Sequence, residues 1–272
     1  MSAPILVTGG TGTLGRHILA LLSDSGQDVR VLTRNPRPDS PGVQYLTGDL
    51  DTGEGISAAV AGVQTILHLA GSNKGDAQKT RTLVEAATRA GSPHLVYISV
   101  VGADRVPVES AVDRAAFGYI AEKRAAEQVI AGSGLPWTTL RATQFHDLIL
   151  TLVTALSKMP IVPAFRGYQI QPIETAEVAA RLVELVRGEP AGFVPDMGGP
   201  RVYEMRELVR SYLEAAGRRR PVLAIRQPGG AARALREGAG TAPERAVGRR
   251  TWEDFLAERV GVVDGRPAPQ FG

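Results

Sequence analysis

The sequence predicts an α/β fold with a doubly wound parallel sheet, and three observations carry that reading. Short, continuously apolar runs alternate with amphipathic segments through the first half of the chain. The first run, Ile5-Leu6-Val7, passes directly into Thr8-Gly9-Gly10-Thr11-Gly12-Thr13-Leu14-Gly15. That glycine-rich stretch leads into Arg16-His17-Ile18-Leu19-Ala20-Leu21-Leu22, which has helical spacing of its apolar positions. Strands that are apolar throughout and separated by helices belong to a parallel sheet covered on both faces.

Each element follows from its local pattern. Strands are expected at residues 5–7, 29–32, near 45–46, and at 65–69, 95–101 and 137–140. Helices are expected at 15–23, 56–61, 78–90 and 114–131. Gly91 with Pro93 stops the third of these, and Gly132-Ser133-Gly134 closes the fourth. Beyond Gln144 the pattern loosens under Pro160, Pro163, Pro190, Pro195, Pro200 and Pro221. Helices are expected there at 145–156, 175–186, 204–216, 231–235 and 252–259, and strands at 168–173 and 222–225. The organisation expected is one domain over 1–272, with a sheet core at 1–143 and a smaller C-terminal lobe at 144–272 that shapes a pocket. The tail at 266–269 reads as loose.

Composition excludes several classes. A chain of 272 residues with 43% hydrophobic and 22% charged residues can bury a large core. It has no cysteine, which removes disulfides, thiolate metal sites and cysteine nucleophiles, and no metal site is expected. The net charge of +3 gives no reason to expect a nucleic-acid partner. The runs Arg218-Arg219-Arg220 and 245–250 read as solvated faces. The apolar-rich stretch 148–156 is interrupted by Thr151 and Thr154 and is too short to span a bilayer, so no membrane partner is expected. The chain enters a strand almost at once, without a basic, apolar leader, and a cytoplasmic location is the expectation.

The glycine run carries the first chemistry. A tight turn off a strand, close backbone approach to a pyrophosphate, and close packing of the next helix each require a glycine. The helix N-terminus then faces the anion. Gly9, Thr11, Gly12, Thr13, Leu14 and Gly15 are therefore candidate dinucleotide-binding residues. An acid at the end of the second strand would favour NAD by bonding the ribose 2′-hydroxyl. Here Val29-Arg30-Val31-Leu32 runs into Thr33-Arg34-Asn35, and the Arg34 guanidinium suits a 2′-phosphate, which points to NADP(H). Gly48-Asp49-Leu50 offers Asp49 and Leu50 to the adenine, and Ala70 and Gly71 end the fourth strand where ligands lie in open sheets. His68, with apolar neighbours, reads as a packed core histidine.

The second constellation is Tyr119-Ile120-Ala121-Glu122-Lys123, with Ser99 at the end of the fifth sheet strand. Residues i and i+4 share a helix face, so the phenol and the ammonium are neighbours. A nearby ammonium is expected to lower the tyrosine pKa towards working pH. Tyr119 then serves as general acid, Ser99 holds the substrate oxygen, and Lys123 bonds the nicotinamide ribose. Phe145, His146 and residues near Tyr168 are expected to line the substrate pocket, with a cap on the following helix as the equal alternative for His146.

Together these residues resemble the short-chain dehydrogenase/reductase superfamily. The segment Gly134-Leu135-Pro136-Trp137-Thr138-Thr139-Leu140-Arg141-Ala142-Thr143-Gln144-Phe145 is similar to its atypical and extended branch, which includes NmrA-like and NAD(P)H-binding proteins, as is Ile173-Glu174-x-x-Glu177-Val178-Ala179. The resemblance covers nearly the whole chain. It implies a Rossmann-type fold, NADP(H) at the sheet edge, and a Ser-Tyr-Lys centre. The asparagine many relatives add to that centre has no clear counterpart, since Asn73 lies in the loop after the fourth strand. The activity implied is hydride transfer to a carbonyl or quinone-like small molecule. The alternatives are a non-catalytic NADP(H) sensor and a nucleotide-sugar epimerase or dehydratase.

Overall fold

Uninterrupted apolar strands need cover on both faces, and the computed structural model of the chain provides it. The structure describes residues 3–71, 75–260, 262–263 and 266–267. The fold divides into two compact units interleaved along the sequence. One comprises Met1–Ala103, Phe117–Arg141 and Thr175–Pro195; the other comprises Asp104–Ala116, Ala142–Glu174 and Asp196–Gly272. The division differs from the boundary expected at 143/144, because the helix Thr175–Arg187 packs on the first helix and the fifth strand of the sheet unit.

The first unit is built on a seven-stranded sheet. Its strands are β1 (Ile5–Thr8), β2 (Val29–Thr33), β3 (Val43–Thr47), β4 (Thr65–His68), β5 (His94–Val100), β6 (Trp137–Ala142) and the short Gly192–Phe193. Their order is β3-β2-β1-β4-β5-β6 followed by Gly192–Phe193 at the edge. β1 pairs in parallel with β2 and β4, with Thr8 opposite Leu32 on one side and His68 on the other. The order reverses at β1, so the carboxyl ends of β1 and β4 border the crevice where such sheets bind ligands. The helices of this unit are α1 (Thr13–Asp24), α2 (Ile56–Val60), α3 (Asp76–Arg89), most of α4 (Ala111–Ala131) and Thr175–Arg187. Leu6, Ile66, Leu83, Leu95, Tyr97 and Ile130 form the centre of its core.

Two helix starts differ from expectation for local reasons. α3 begins at Asp76, after Gly75 with φ 80°, and an acid in a first turn suits the helix dipole. α4 begins at Ala111 because Ser110 and Asp113 cap it reciprocally: Ser110 Oγ accepts from Asp113 N at 3.0 Å and donates to the Asp113 carboxylate at 2.7 Å. A kink at Phe117 (φ −130°, ψ 17°) interrupts α4 just before Gly118.

The second unit contains the helices His146–Leu156, Met205–Ala215, Gly230–Arg236 and Trp252–Arg259. Trp252 and Phe255 are its largest fully buried side chains. The strand expected at 168–173 is reduced to Gln169–Ile170, which pairs antiparallel with Tyr203–Glu204. Pro172 lacks a donor, and Gln171 turns its amide inward, donating to Gly199 O at 2.7 Å and accepting from Ala242 N at 2.7 Å. A strand at Val162–Phe165, concealed in the sequence by Pro163, pairs in parallel with Val222–Ile225. The pairs Val262–Val263 and Arg266–Pro267 form a short antiparallel ladder, and the rest of the tail at 268–272 lies outside the described residues.

A chain of hydrogen bonds ties the ends of β1 and β4 to the start of α3. Thr80 Oγ1 donates to Asp76 O at 2.7 Å, so it accepts from His68 Nε2 at 3.2 Å. His68 Nδ1 then accepts from Thr8 Oγ1 at 2.7 Å, and Thr8 Oγ1 accepts from Ala70 N at 3.2 Å. Every proton in the chain has one direction, which fixes His68 as the neutral tautomer with its hydrogen on Nε2. Burial, reinforced by the Lys123 ammonium, pushes the His68 pKa down to about 3.

His68 is a pH-linked element of stability. Its folded pKa lies below the unfolded value near 6.5, so its contribution is complete above pH 6.5 and is lost as pH falls towards 3. Unfolding free energy measured in urea between pH 7 and pH 4 should fall by up to about 1.4 kcal/mol per pH unit from this group. His68→Asn should be less stable at pH 7 and should show a shallower slope. Equal slopes in both proteins would contradict the assignment.

Candidate functional site

The glycine loop is shaped by steric necessity. Gly9 has φ 72°, and a Cβ there would lie 2.7 Å from Ala70 N. A Cβ on Gly15 would lie 2.5 Å from the Gly10 backbone, so α1 packs directly on the loop. Gly12 is the N-cap of α1 and offers no side chain to its first turn, which also lacks an acid. The opening amides of α1 are therefore available to an anion. Gly12 and Thr13 are exposed and Thr11 is half-buried. Leu14 is buried in the core, so among the expected cofactor residues it can contribute only its backbone.

The neighbouring strand ends give different results. Arg34 is exposed after β2 and makes no ion pair among the described residues. Asp49 accepts from Asp51 N through Oδ1 at 2.9 Å, which orients its carboxylate. Leu50 packs in the core with Leu32 and Ile56, and its side chain does not reach an open surface, contrary to expectation. Ala70 is held by Thr8, and Gly71 is exposed beside Lys123: a Cβ on Gly71 would lie 3.2 Å from Lys123 Nζ. Asn73 lies outside the described residues.

Lys123 is the hub of the second constellation. It is only 3% exposed, and its ammonium lies 3.5 Å from the equally buried carboxylate of Asp76. Nζ donates to Tyr97 Oη at 3.2 Å and to Ile98 O at 3.3 Å. It also sits 5.6 Å from the centre of the Tyr119 ring. Lys123 thus links the end of β5, which carries Ser99, to the turn of α4 that carries Tyr119. Ser99 Oγ is buried and has no hydrogen-bond partner among the described residues. An unpaired buried hydroxyl is costly in a folded chain, and it is well suited to a ligand oxygen. α4 is held against β6 by a bidentate pair from Arg141 to Glu127 at 2.8 and 2.7 Å. Glu122 accepts from Ala77 N at 3.2 Å at the start of α3.

Asp76 and Tyr97 were not legible as site residues, and Asp76 changes the electrostatics. The expectation that Lys123 acidifies Tyr119 is reversed. Burial, with the Asp76 carboxylate adding to it, pushes the Tyr119 phenol up to about 12. Burial also lowers the Lys123 pKa, opposed by Asp76. Tyr97 is pushed up, first by burial and then by Asp76, so its hydroxyl is a neutral acceptor for the lysine. The first turn of the helix after β4 and the position two before Ser99, on the same strand face, were the places to look.

His146 is corrected outright. It is fully buried, stacked on Phe255 at 4.9 Å and on Trp252 at 6.0 Å, and does not line an open pocket. Its Nδ1 lies 3.6 Å from Glu174, which is itself paired with Arg250 at 3.0 Å. Phe145 is half-buried and forms the N-cap of the helix His146–Leu156. No cluster of three or more potential metal ligands occurs among the described residues.

A family model described as NAD(P)H-binding matches residues 9–187. A (4-alkanoyl-5-oxo-2,5-dihydrofuran-3-yl)methyl phosphate reductase of Streptomyces griseus is 27% identical over 79% of this chain and 74% of its own length. An NAD(P)H azoreductase of Xenophilus azovorans is 26% identical over 98% of this chain and 95% of its own. An NADPH-dependent quinone oxidoreductase from Escherichia coli, solved with NADPH, superposes with a TM-score of 0.76 at 20% identity, covering 93% of this chain and 98% of that one. The uncapped helix start, the glycines that admit no side chain and the partnerless Ser99 fit a nicotinamide dinucleotide. With the family model spanning most of its length, the chain belongs to the NAD(P)H-binding family and has its Rossmann-type fold.

Proposed function

We propose that the protein is an NADPH-dependent reductase of a carbonyl or quinone-like small molecule. The observation that carries this reading is the unpaired, buried Ser99 hydroxyl, one residue beyond the carbonyl that receives the Lys123 ammonium. Gly9, Gly12, Thr13 and the first amides of α1 would hold the pyrophosphate, and Arg34 the 2′-phosphate. When bound, the reduced nicotinamide supplies a hydride. Ser99 Oγ donates a hydrogen bond to the substrate oxygen and fixes its position. Tyr119 Oη gives that oxygen a proton as negative charge develops on it. Lys123, anchored by Asp76, keeps the tyrosine and the strand end in register.

The same ion pair favours a second reading, an NADP(H) sensor without turnover. An ammonium already engaged by Asp76 and Tyr97 is a reduced electrostatic aid to Tyr119. Consumption of NADPH with a carbonyl and quinone panel separates the two. Turnover that falls about 10²–10⁴-fold in Tyr119→Phe supports the reductase. Tight NADPH binding with no turnover on any compound, unchanged by that substitution, supports the sensor.

Two further outcomes are expected. NADPH should bind at least about tenfold tighter than NADH, and Arg34→Asp should remove that preference by weakening NADPH alone. Equal affinities in the unaltered protein would contradict the assignment of Arg34. With the phenol near 12, the reductase rate should show no alkaline loss from Tyr119 through pH 9. Asp76→Asn removes a cause of that elevation, so its alkaline limb should move to lower pH; an unchanged profile would contradict the role of Asp76.

A further inference from the structure

The two basic runs of the sequence look unremarkable in line, but the fold concentrates charge and apolar surface at one edge of the second unit. Arg206 and Arg210, one turn apart on the helix Met205–Ala215, line an open cleft of about 600 Å³ with Arg218, Arg219 and Arg220. Glu214 is the one carboxylate in that lining. Arg218 donates to Ser157 Oγ at 3.2 Å, and Val162 N donates to Pro221 O at 2.9 Å. These bonds bring segment 157–166 beside segment 216–226. The two segments carry six cations, Lys158, Arg166, Arg218, Arg219, Arg220 and Arg226, and no carboxylate.

The same two segments carry large apolar side chains that the fold leaves in solvent. Leu223 is 55% exposed, Ile161 51%, and Ile225 and Met159 each 38%. Leu223 and Ile225 lie on the strand Val222–Ile225, whose described partner is Val162–Phe165 alone. Scattered exposed apolar residues are ordinary, but four on the two paired segments that carry these six cations form a group. Arg206, Arg219 and Arg220 make no ion pair among the described residues. Cations so close together repel one another, and an anionic partner relieves that repulsion. A nucleic acid would satisfy the charge and leave the apolar group in water. A bilayer with anionic headgroups satisfies both: phosphates meet the arginines, and the apolar side chains enter the headgroup–acyl boundary.

We infer that this edge docks the protein on the surface of an anionic phospholipid membrane, peripherally and reversibly. No helix among the described residues is long and apolar enough to cross a membrane, so the attachment is at the surface. This inference is independent of the reductase reading, because its residues lie outside the proposed site.

Co-sedimentation of the full chain with vesicles tests it. The protein should pellet with phosphatidylglycerol/phosphatidylcholine vesicles at low salt and remain in solution with phosphatidylcholine alone. Each exposed arginine at such a surface contributes about fivefold, so Arg206→Gln/Arg219→Gln/Arg220→Gln should reduce partitioning about a hundredfold. Leu223→Ser/Ile225→Ser should retain binding at low salt and lose the fraction that survives raised salt. Unchanged thermal midpoints and NADPH binding in both variants exclude misfolding as the cause. Equal pelleting with both vesicle types, retention by the triple variant, or binding to duplex DNA in the absence of vesicle binding would each overturn the proposal.

Discussion

The structure of the sheet unit depends on one buried ion pair, Asp76 with Lys123, and on the hydrogen-bond chain that ends at Asp76. The backbone of Asp76 accepts from Thr80, which leads through His68 and Thr8 to the amide of Ala70. Its carboxylate meets the lysine that bridges β5 and α4. A continuous polar connection therefore runs from the edge of the glycine loop to Lys123, whose ammonium lies 5.6 Å from the centre of the Tyr119 ring. Removing one partner of a buried pair leaves the other charge without compensation, so neither side chain is free to vary alone. The proposed dinucleotide site and the proposed proton donor are thereby held in one frame.

That frame has a chemical consequence. In the usual argument a lysine beside a tyrosine makes the phenol more acidic. Here the lysine is balanced by a carboxylate at almost the same depth, and burial of the phenol dominates. With the Tyr119 phenol held up at about 12, the proposed reaction uses it as a proton donor to a developing alkoxide and not as a resting phenolate.

Much of this was legible in the sequence where the causes are local. Thr8 to Gly15 declares a strand, a turn and a helix because backbone sterics decide Gly9 and Gly15. The helix Trp252–Arg259 keeps its expected ends, where Thr251 caps it and Asp254 returns the bond. Asp76 was missed because its partner is supplied by topology, through a helix far along the chain. Leu50 and Leu14 follow motif positions but turn into the core, since the motif specifies backbone and leaves side-chain direction to packing. His146 opens a helix beyond the sheet, where a pocket or a cap was expected; Trp252 and Phe255, distant in sequence, cover it. The strand Val162–Phe165 was hidden by Pro163, which a two-stranded ladder tolerates.

The central claim is that Asp76 governs catalysis through the proton of Tyr119. A double-mutant cycle on kcat/KM for NADPH-driven reduction measures it directly, using Asp76→Asn, Tyr119→Phe and the pair. The account predicts strong non-additivity: once the phenol is gone, Asp76→Asn has little further effect on the rate or on its pH dependence. Additive losses would mean that the two residues act separately, and would contradict it.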